Sequence, residues 1–141
     1  MPIPVWVLLF FAGWTLATLL ATVGVYRWSR ILNGRAALSE FRADEPHGSE
    51  WYLRAMRAHA NCVENLPVHA TTVVATVASG AQSPTLDMLA VVLFAALVLQ
   101  TVTHVAVRQT DAVVGIRFTF FFIQIVCMIG MGILVAFKRA T

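Results

Sequence analysis

Charged and amide side chains recur at helical spacing within one stretch of an otherwise apolar chain. At about 100° per residue, Arg54, Arg57, Asn61 and Glu64 lie within about 80° of one another around a helix, whereas His59 points to nearly the opposite side. Guanidinium groups bind carboxylates through two parallel hydrogen bonds, and a carboxylate suits an ammonium group. The stripe therefore has the chemistry to bind a small molecule that carries both charges.

A second stripe and further arginines add to this charge. Gln100, His104 and Arg108 follow an i, i+4, i+8 spacing, and Arg117 stands near the start of the last apolar run. An ionisable group inside a membrane span costs about 2.5 to 3.5 kcal/mol on insertion scales, so each one needs a partner, a water-filled cavity or a ligand. Glu64 is outnumbered by the arginines in or beside the spans, which are Arg27, Arg30, Arg54, Arg57, Arg108 and Arg117. This excess predicts an anionic ligand.

The composition is typical of a membrane protein. Of 141 residues, 59% are hydrophobic and 12% are charged, against about a quarter charged in soluble domains. At about 20 apolar residues per crossing, the chain accommodates four spans, which we place near 5–26, 50–79, 86–107 and 113–137. Ser49 is suited to cap the second helix, with Glu50 in its first turn. We therefore predict an all-α membrane protein with one domain, 1–141, folded as a four-transmembrane-helix bundle.

The distribution of positive charge predicts the orientation. Arg27, Arg30, Arg35 and Arg42 lie in the loop after the first span, and Arg108 lies after the third. These loops are expected in the cytoplasm, although Lys138 and Arg139 at the other end favour the reverse. We expect a multi-pass protein of the inner or cell membrane whose site faces the cytoplasm.

Other classes of ligand are disfavoured. A net charge of +3 in so apolar a chain does not favour a nucleic-acid partner, and Cys62 and Cys127 form neither a CxxC motif nor a disulfide framework. No metal site is expected. His59, His69 and His104 form no convincing set for two haems, and the absence of Glu between Val5 and Val25 disfavours a small multidrug exporter.

The second span carries a motif that resembles one known family. Its residues from Arg57 to Pro67 read R-A-H-A-N-C-V-E-N-L-P. This resembles the R-A-x-x-N-x-x-E-x-x-P motif of the MAPEG family, the membrane-associated proteins of eicosanoid and glutathione metabolism. The number of helices, the span that holds the motif and the chain length agree as well. The resemblance covers essentially the whole chain, and is to bacterial-type microsomal glutathione S-transferases.

The resemblance implies an assembly and a site. It implies a homotrimer with glutathione, the cosubstrate, bound between neighbouring protomers on the cytoplasmic side. By resemblance, the glutathione contacts fall on Arg57, Asn61 and Glu64, and a basic residue at the end of the first helix, Arg27 or Arg30, contributes as well.

Two further positions carry the expected chemistry. The family's thiol-activating arginine falls on Arg117, which is therefore the expected catalytic residue. His104 matches a histidine of the third helix that is followed, four residues on, by a tyrosine of the glutathione site, and we include His104 among the expected binding residues. Arg108 stands where members such as prostaglandin E synthase have a tyrosine, and whether it replaces that tyrosine stays open.

These observations predict a glutathione S-transferase, with peroxidase activity as an open second reaction. A nearby cation lowers the pKa of a thiol, which is ordinarily about 8.5, and the thiolate is the reactive form. Arg117 would supply the cation, and a lipophilic small molecule would reach the site from the lipid bilayer for detoxification. The alternative is a non-catalytic lipid- or glutathione-binding membrane protein of the same fold, which the missing tyrosine favours.

Overall fold

Four long helices make up the described part of the chain. The structure is a computed structural model that describes residues 1–42 and 44–138. Helix α1 is Ile3–Leu32, α2 is Glu50–Ala78, α3 is Pro84–Ala106 and α4 is Asp111–Lys138. Within these ranges there is no β-strand, so the predicted all-α class is confirmed. Arg139, weighed in the orientation, lies outside the described residues.

Three of the helices begin at a side-chain cap. Ser49 Oγ accepts a hydrogen bond from the backbone N–H of Tyr52 at 3.3 Å, as predicted for the start of α2. Ser83 caps α3 in the same way through the N–H of Leu86, and Thr110 caps α4 through the N–H of Val113. Each cap satisfies a donor that the helix itself leaves unpaired.

Successive helices run antiparallel, so the ends of α1 and α3 lie beside the starts of α2 and α4. Phe11 of α1 stacks on His69 of α2 with ring centroids 5.5 Å apart, and Tyr26 stacks on Tyr52 at 4.2 Å. Helices α3 and α4 approach closely at Gly130, where a Cβ atom would lie 3.2 Å from a methyl group of Leu89.

Helix α1 is longer than its apolar run predicts. A π-helical segment, Leu19–Gly24, is followed by further helix, Val25–Leu32, whereas the hydropathy pattern places the end of the span near residue 26. The extension is stabilised by contacts that hydropathy does not register, since Arg27 Nε donates to the hydroxyl of Tyr52 at 2.8 Å beside the Tyr26–Tyr52 stack.

Within residues 1–42 and 44–138, three helices are long and apolar enough to cross a membrane. They are α1, α3 and α4, the last over Asp111–Phe137. Helix α2 has 29 residues, which at 1.5 Å each is about 43 Å, longer than a hydrocarbon core of about 30 Å. Its first half is too polar to qualify on hydropathy, so the fourth span stays a prediction.

Candidate functional site

Two adjacent clefts lie where α1 and α3 end and α2 and α4 begin. The outer cleft has a volume of about 460 Å³ and is lined by Glu50, Leu53, Arg54, Arg57, Arg108 and Gln109. The inner cleft, of about 240 Å³, is lined by Arg57, Asn61, Gln100, His104, Gln109, Val114, Arg117, Phe118 and Phe121. Arg57 and Gln109 line both, so the two clefts are adjacent, and we call the two together the groove between α2, α3 and α4.

Arg117 is buried at the wall of the inner cleft, with 6% of its surface exposed. Its Nη2 atom donates to the backbone carbonyls of Thr103, His104 and Val107, at 3.3, 3.5 and 3.0 Å. Thr103 and His104 belong to the last turn of α3 and Val107 is its C-cap residue, at the helix end where acceptors are left unpaired and positive charge is favoured. Arg117 therefore caps α3, a structural role in addition to the predicted catalytic one.

His104 links α3 to α2 and, through the hydrogen bond from Arg117 to its carbonyl, to α4. Its Nε2 atom lies 3.3 Å from Asn61 Nδ2, and its carbonyl oxygen accepts from Arg54 Nε at 3.2 Å. With the Asn61 amide donating, the imidazole is neutral and its proton is on Nδ1. Neither that Nδ1 nor the Nε atom of Arg117 has a partner among the described residues. Buried polar groups are nearly always hydrogen-bonded, so these two nitrogens are donors that a ligand in the cleft could satisfy.

Most of the positive charge of the groove is not neutralised within the described residues. Arg54 forms the only ion pair there, with Glu50 at 3.9 Å. Arg57, Arg108 and Arg117 have no acidic partner within 4 Å in the part of the chain that the structure describes. Three guanidinium groups thus face one groove without counter-charge, which suits an anionic ligand.

The loop between α1 and α2 shows how an arginine is neutralised elsewhere. Arg42 contacts Asp44 at 2.5 Å and Glu45 at 3.7 Å. The hydrogen bond from Arg42 lowers the pKa of the Asp44 carboxyl, so the pair stays ionised at neutral pH.

Three predicted site residues do not line the groove. Glu64 is exposed on the same face of α2 as Arg57, two turns further on. The guanidinium carbon of Arg27 lies 5.4 Å from the ring centroid of Phe41, and that of Arg30 lies 5.3 Å from Tyr26. The structure therefore brings together Arg57, Asn61, His104, Arg108 and Arg117, and leaves the predicted roles of Glu64, Arg27 and Arg30 as predictions.

The structure adds residues that the sequence did not single out as site residues. Arg54 lines the outer cleft and bonds the His104 carbonyl, although an arginine near a helix end is often only a lipid-headgroup contact. Gln109 carries no sequence signal. Gln124 is buried and hydrogen-bonded to both Asn65 and Gln100. An amide in the middle of an apolar helix is the sequence signal that could have identified Gln124.

No metal centre is formed by the described residues. Among them, no three His, Cys, Asp or Glu side chains converge in a way that could hold a metal ion. The donors of the groove are guanidinium, amide and imidazole groups, which bind anions and neutral polar groups.

Comparison with known proteins gives one result for nearly the whole chain. The model of the MAPEG family matches residues 4–137. No curated protein and no solved structure gives a significant match. The match covers all four helices except the first residue of α1 and the last residue of α4, and it contains every residue of the groove. This chain, with its three long apolar helices and its groove of unneutralised arginines, belongs to the MAPEG family of membrane proteins.

Proposed function

We propose that the protein is a glutathione-dependent membrane transferase. The observation that carries the proposal is the set of unneutralised guanidinium groups, on Arg57, Arg108 and Arg117, around one groove. Glutathione has two carboxylates and a thiol that ionises, so it supplies three negative charges as the thiolate. The MAPEG family includes glutathione transferases, which agrees with this chemistry.

The ammonium group of glutathione needs a negatively charged hydrogen-bond acceptor, such as a carboxylate. Glu64 is exposed, and no ion pair to it occurs among the described residues. Because an exposed carboxylate on a membrane helix is costly, its partner must come from outside the chain. A homotrimer, with glutathione between protomers, would bring Glu64 of one copy to the groove of the next, and would offer Arg27 or Arg30 as a further contact.

The reaction is thiolate attack on a lipophilic electrophile. Arg117 stabilises the negative sulfur and so lowers the pKa of the thiol. With an activated aryl chloride, the sulfur forms a C–S bond at the carbon that carries chlorine, and chloride leaves with the bonding electrons. Phe118, Phe121 and Val114 form the apolar part of the inner cleft, where a substrate from the bilayer would lie.

Placement in the membrane is part of the same proposal. Helix α2 crosses as the fourth span, with its polar half at the end of the bundle where Arg27, Arg30, Arg35 and Arg42 lie. By the positive-inside rule this end faces the cytoplasm, which supplies glutathione. The membrane is the inner or cell membrane.

The test is turnover of an activated aryl chloride by the purified protein with glutathione. We expect turnover by the wild type and a loss of about 10²- to 10³-fold in kcat/KM for Arg117→Met, the range for removing one donor that stabilises developing negative charge. Arg42→Met is the matched control, because that arginine is paired within its own loop. Equal inactivity of wild type and Arg117→Met, with glutathione bound to both, would overturn the transferase proposal.

A specific observation favours a second candidate function. Arg117 is already engaged as the cap of α3, and Arg108 stands where a tyrosine is expected. A non-catalytic lipid- or glutathione-binding protein would have these features. It predicts saturable glutathione binding without turnover of the aryl chloride or of a lipid hydroperoxide.

The lipid hydroperoxide tests the peroxidase reaction. In that reaction, two glutathiones reduce the hydroperoxide to an alcohol and water and form glutathione disulfide.

A further inference from the structure

A chain of buried amide groups crosses the interior of the bundle behind the inner cleft. Gln124 Nε2 donates to Gln100 Oε1 at 2.7 Å, and Asn65 Nδ2 donates to Gln124 Oε1 at 3.0 Å. Gln100 Nε2 in turn donates to the backbone carbonyl of Arg117 at 3.4 Å. We call these three side chains the amide ladder. It joins α2, α3 and α4 and ends on the residue that the proposed mechanism makes catalytic.

The ladder is enclosed and nearly saturated. Gln124 has no exposed surface, Gln100 has 3% and Asn65 has 6%. No polar atom of the three side chains is among the buried groups that lack a hydrogen bond. In a low-dielectric interior a broken link leaves a costly unpaired amide, so a saturated network fixes one arrangement of the helices that it joins. Here it fixes the register of α4 against α3.

That register determines where the Arg117 guanidinium lies. Gln124 is seven residues after Arg117, two turns along the same face of α4. The Arg117 side chain reaches the carbonyls of Thr103, His104 and Val107 at the C-terminal end of α3. A shift of α4 along α3 by a fraction of a turn would lengthen those hydrogen bonds and move the charge relative to the cleft.

We propose that Gln124, acting with Gln100 and Asn65, is a positioning residue that holds the Arg117 guanidinium at the inner cleft. The catalytic consequence of this inference rests on the proposed function. The coupling between Gln124 and Arg117 is independent of the proposed function. Gln124 lines neither cleft and touches no proposed ligand, so it acts on the site indirectly, through Gln100 at the wall of the inner cleft and the Arg117 backbone carbonyl that Gln100 contacts.

The first experiment separates positioning from binding. In full-length protein, Gln124→Met keeps the side-chain length and removes the hydrogen bonds. We expect the pH midpoint of thiolate formation by bound glutathione, followed by ultraviolet absorbance, to rise so that the thiolate fraction at low pH falls about 3- to 15-fold. The Kd of S-methylglutathione, which has no thiol, should stay within about twofold. Gln124→Glu, protonated when buried, offers both a donor and an acceptor and should restore most of the shift.

A matched control tests the specificity of that shift. Cys127→Ala removes volume from a buried position on the same helix, without touching the ladder. It should leave the thiolate midpoint unchanged. An unchanged midpoint in Gln124→Met, or an equal shift in Cys127→Ala, would overturn the positioning role.

The second experiment needs no glutathione, so it tests the ladder even if the proposed function fails. Unfolding equilibria of Gln124→Met, Arg117→Lys and the double variant form a double-mutant cycle. We expect the two changes to couple by about 3-fold or more in the unfolding constant, whereas Cys127→Ala and Arg117→Lys should be additive. Additivity in the first cycle would overturn the ladder. Coupling there, together with absence of glutathione binding by the wild type, would overturn the proposed function alone.

Discussion

The two ends of the helix bundle are held together by different interactions. At the end with the connector 79–83, α1, α2, α3 and α4 pack through a buried apolar cluster, which comprises Val7, Val73, Ala81, Leu86, Ala90, Met131 and Val135. At the other end the same helices meet through guanidinium, amide and imidazole groups around an open groove. The cluster at the first end consists of buried apolar side chains, whereas the polar end leaves donors on Arg117 and His104 unpartnered among the described residues.

The same four helices therefore serve two purposes: the apolar cluster at one end stabilises the bundle, and the polar groove at the other end is where a ligand would bind. Apolar packing stabilises without directionality, so it can hold the bundle while the polar end keeps charges that only a ligand neutralises. A change at one end should therefore alter one property and leave the other.

The largest expected effect is at the apolar end. Met131→Ala removes a fully buried side chain from the apolar cluster and should lower the free energy of unfolding by about 2 to 5 kcal/mol. Reversible unfolding in detergent measures it. The Kd of glutathione, measured well below the unfolding midpoint, should stay within about twofold. A loss of binding in a folded Met131→Ala protein would contradict the division between the two ends.

The next effect is at the polar end and is expected in binding. Arg57→Met removes the arginine that lines both clefts, and loss of a hydrogen bond to a charged group costs about 1.5 to 3 kcal/mol, or about 10- to 150-fold in the Kd of glutathione. Calorimetric titration measures it, with Arg42→Met as the control. If Arg57→Met bound glutathione as the wild type does, the groove would not be the site.

The smallest effect compares two helix caps, one at each end. Ser49→Ala and Ser83→Ala each remove a capping hydroxyl and should lower the free energy of unfolding by about 1 kcal/mol. Only Ser49 begins the helix whose first two turns carry Arg54 and Arg57, so only Ser49→Ala should weaken glutathione binding, by a few fold. Equal Kd values for the two variants would show that fraying of α2 does not reach the groove.

Sequence patterns predicted most of the helices and part of the groove. Helical spacing placed Arg57 and Asn61 on one stripe of α2, and His104 and Arg108 on another, because residues on one helix have a fixed angular relation. Spacing does not say which neighbour a stripe faces. Nothing in the sequence indicated that Arg117 reaches the carbonyls that end α3.

The remaining differences between the sequence predictions and the structure have the same physical origin. Helix α1 continues beyond the predicted span because its last turns are stabilised by the Tyr26–Tyr52 stack, a contact between distant parts of the chain. Gln124 was missed because its partners, Gln100 and Asn65, lie on two other helices. Both depend on tertiary packing, to which local hydropathy and periodicity are insensitive.

The most direct test is binding of glutathione to the wild-type protein at about pH 6.5, some two units below the ordinary pKa of a thiol. If the unneutralised arginines of the groove bind glutathione and stabilise its thiolate, titration should give saturable binding accompanied by thiolate absorbance, and both should weaken as salt is raised. Absence of binding at millimolar glutathione, or binding with no thiolate signal at this pH, would contradict the proposed role of the groove.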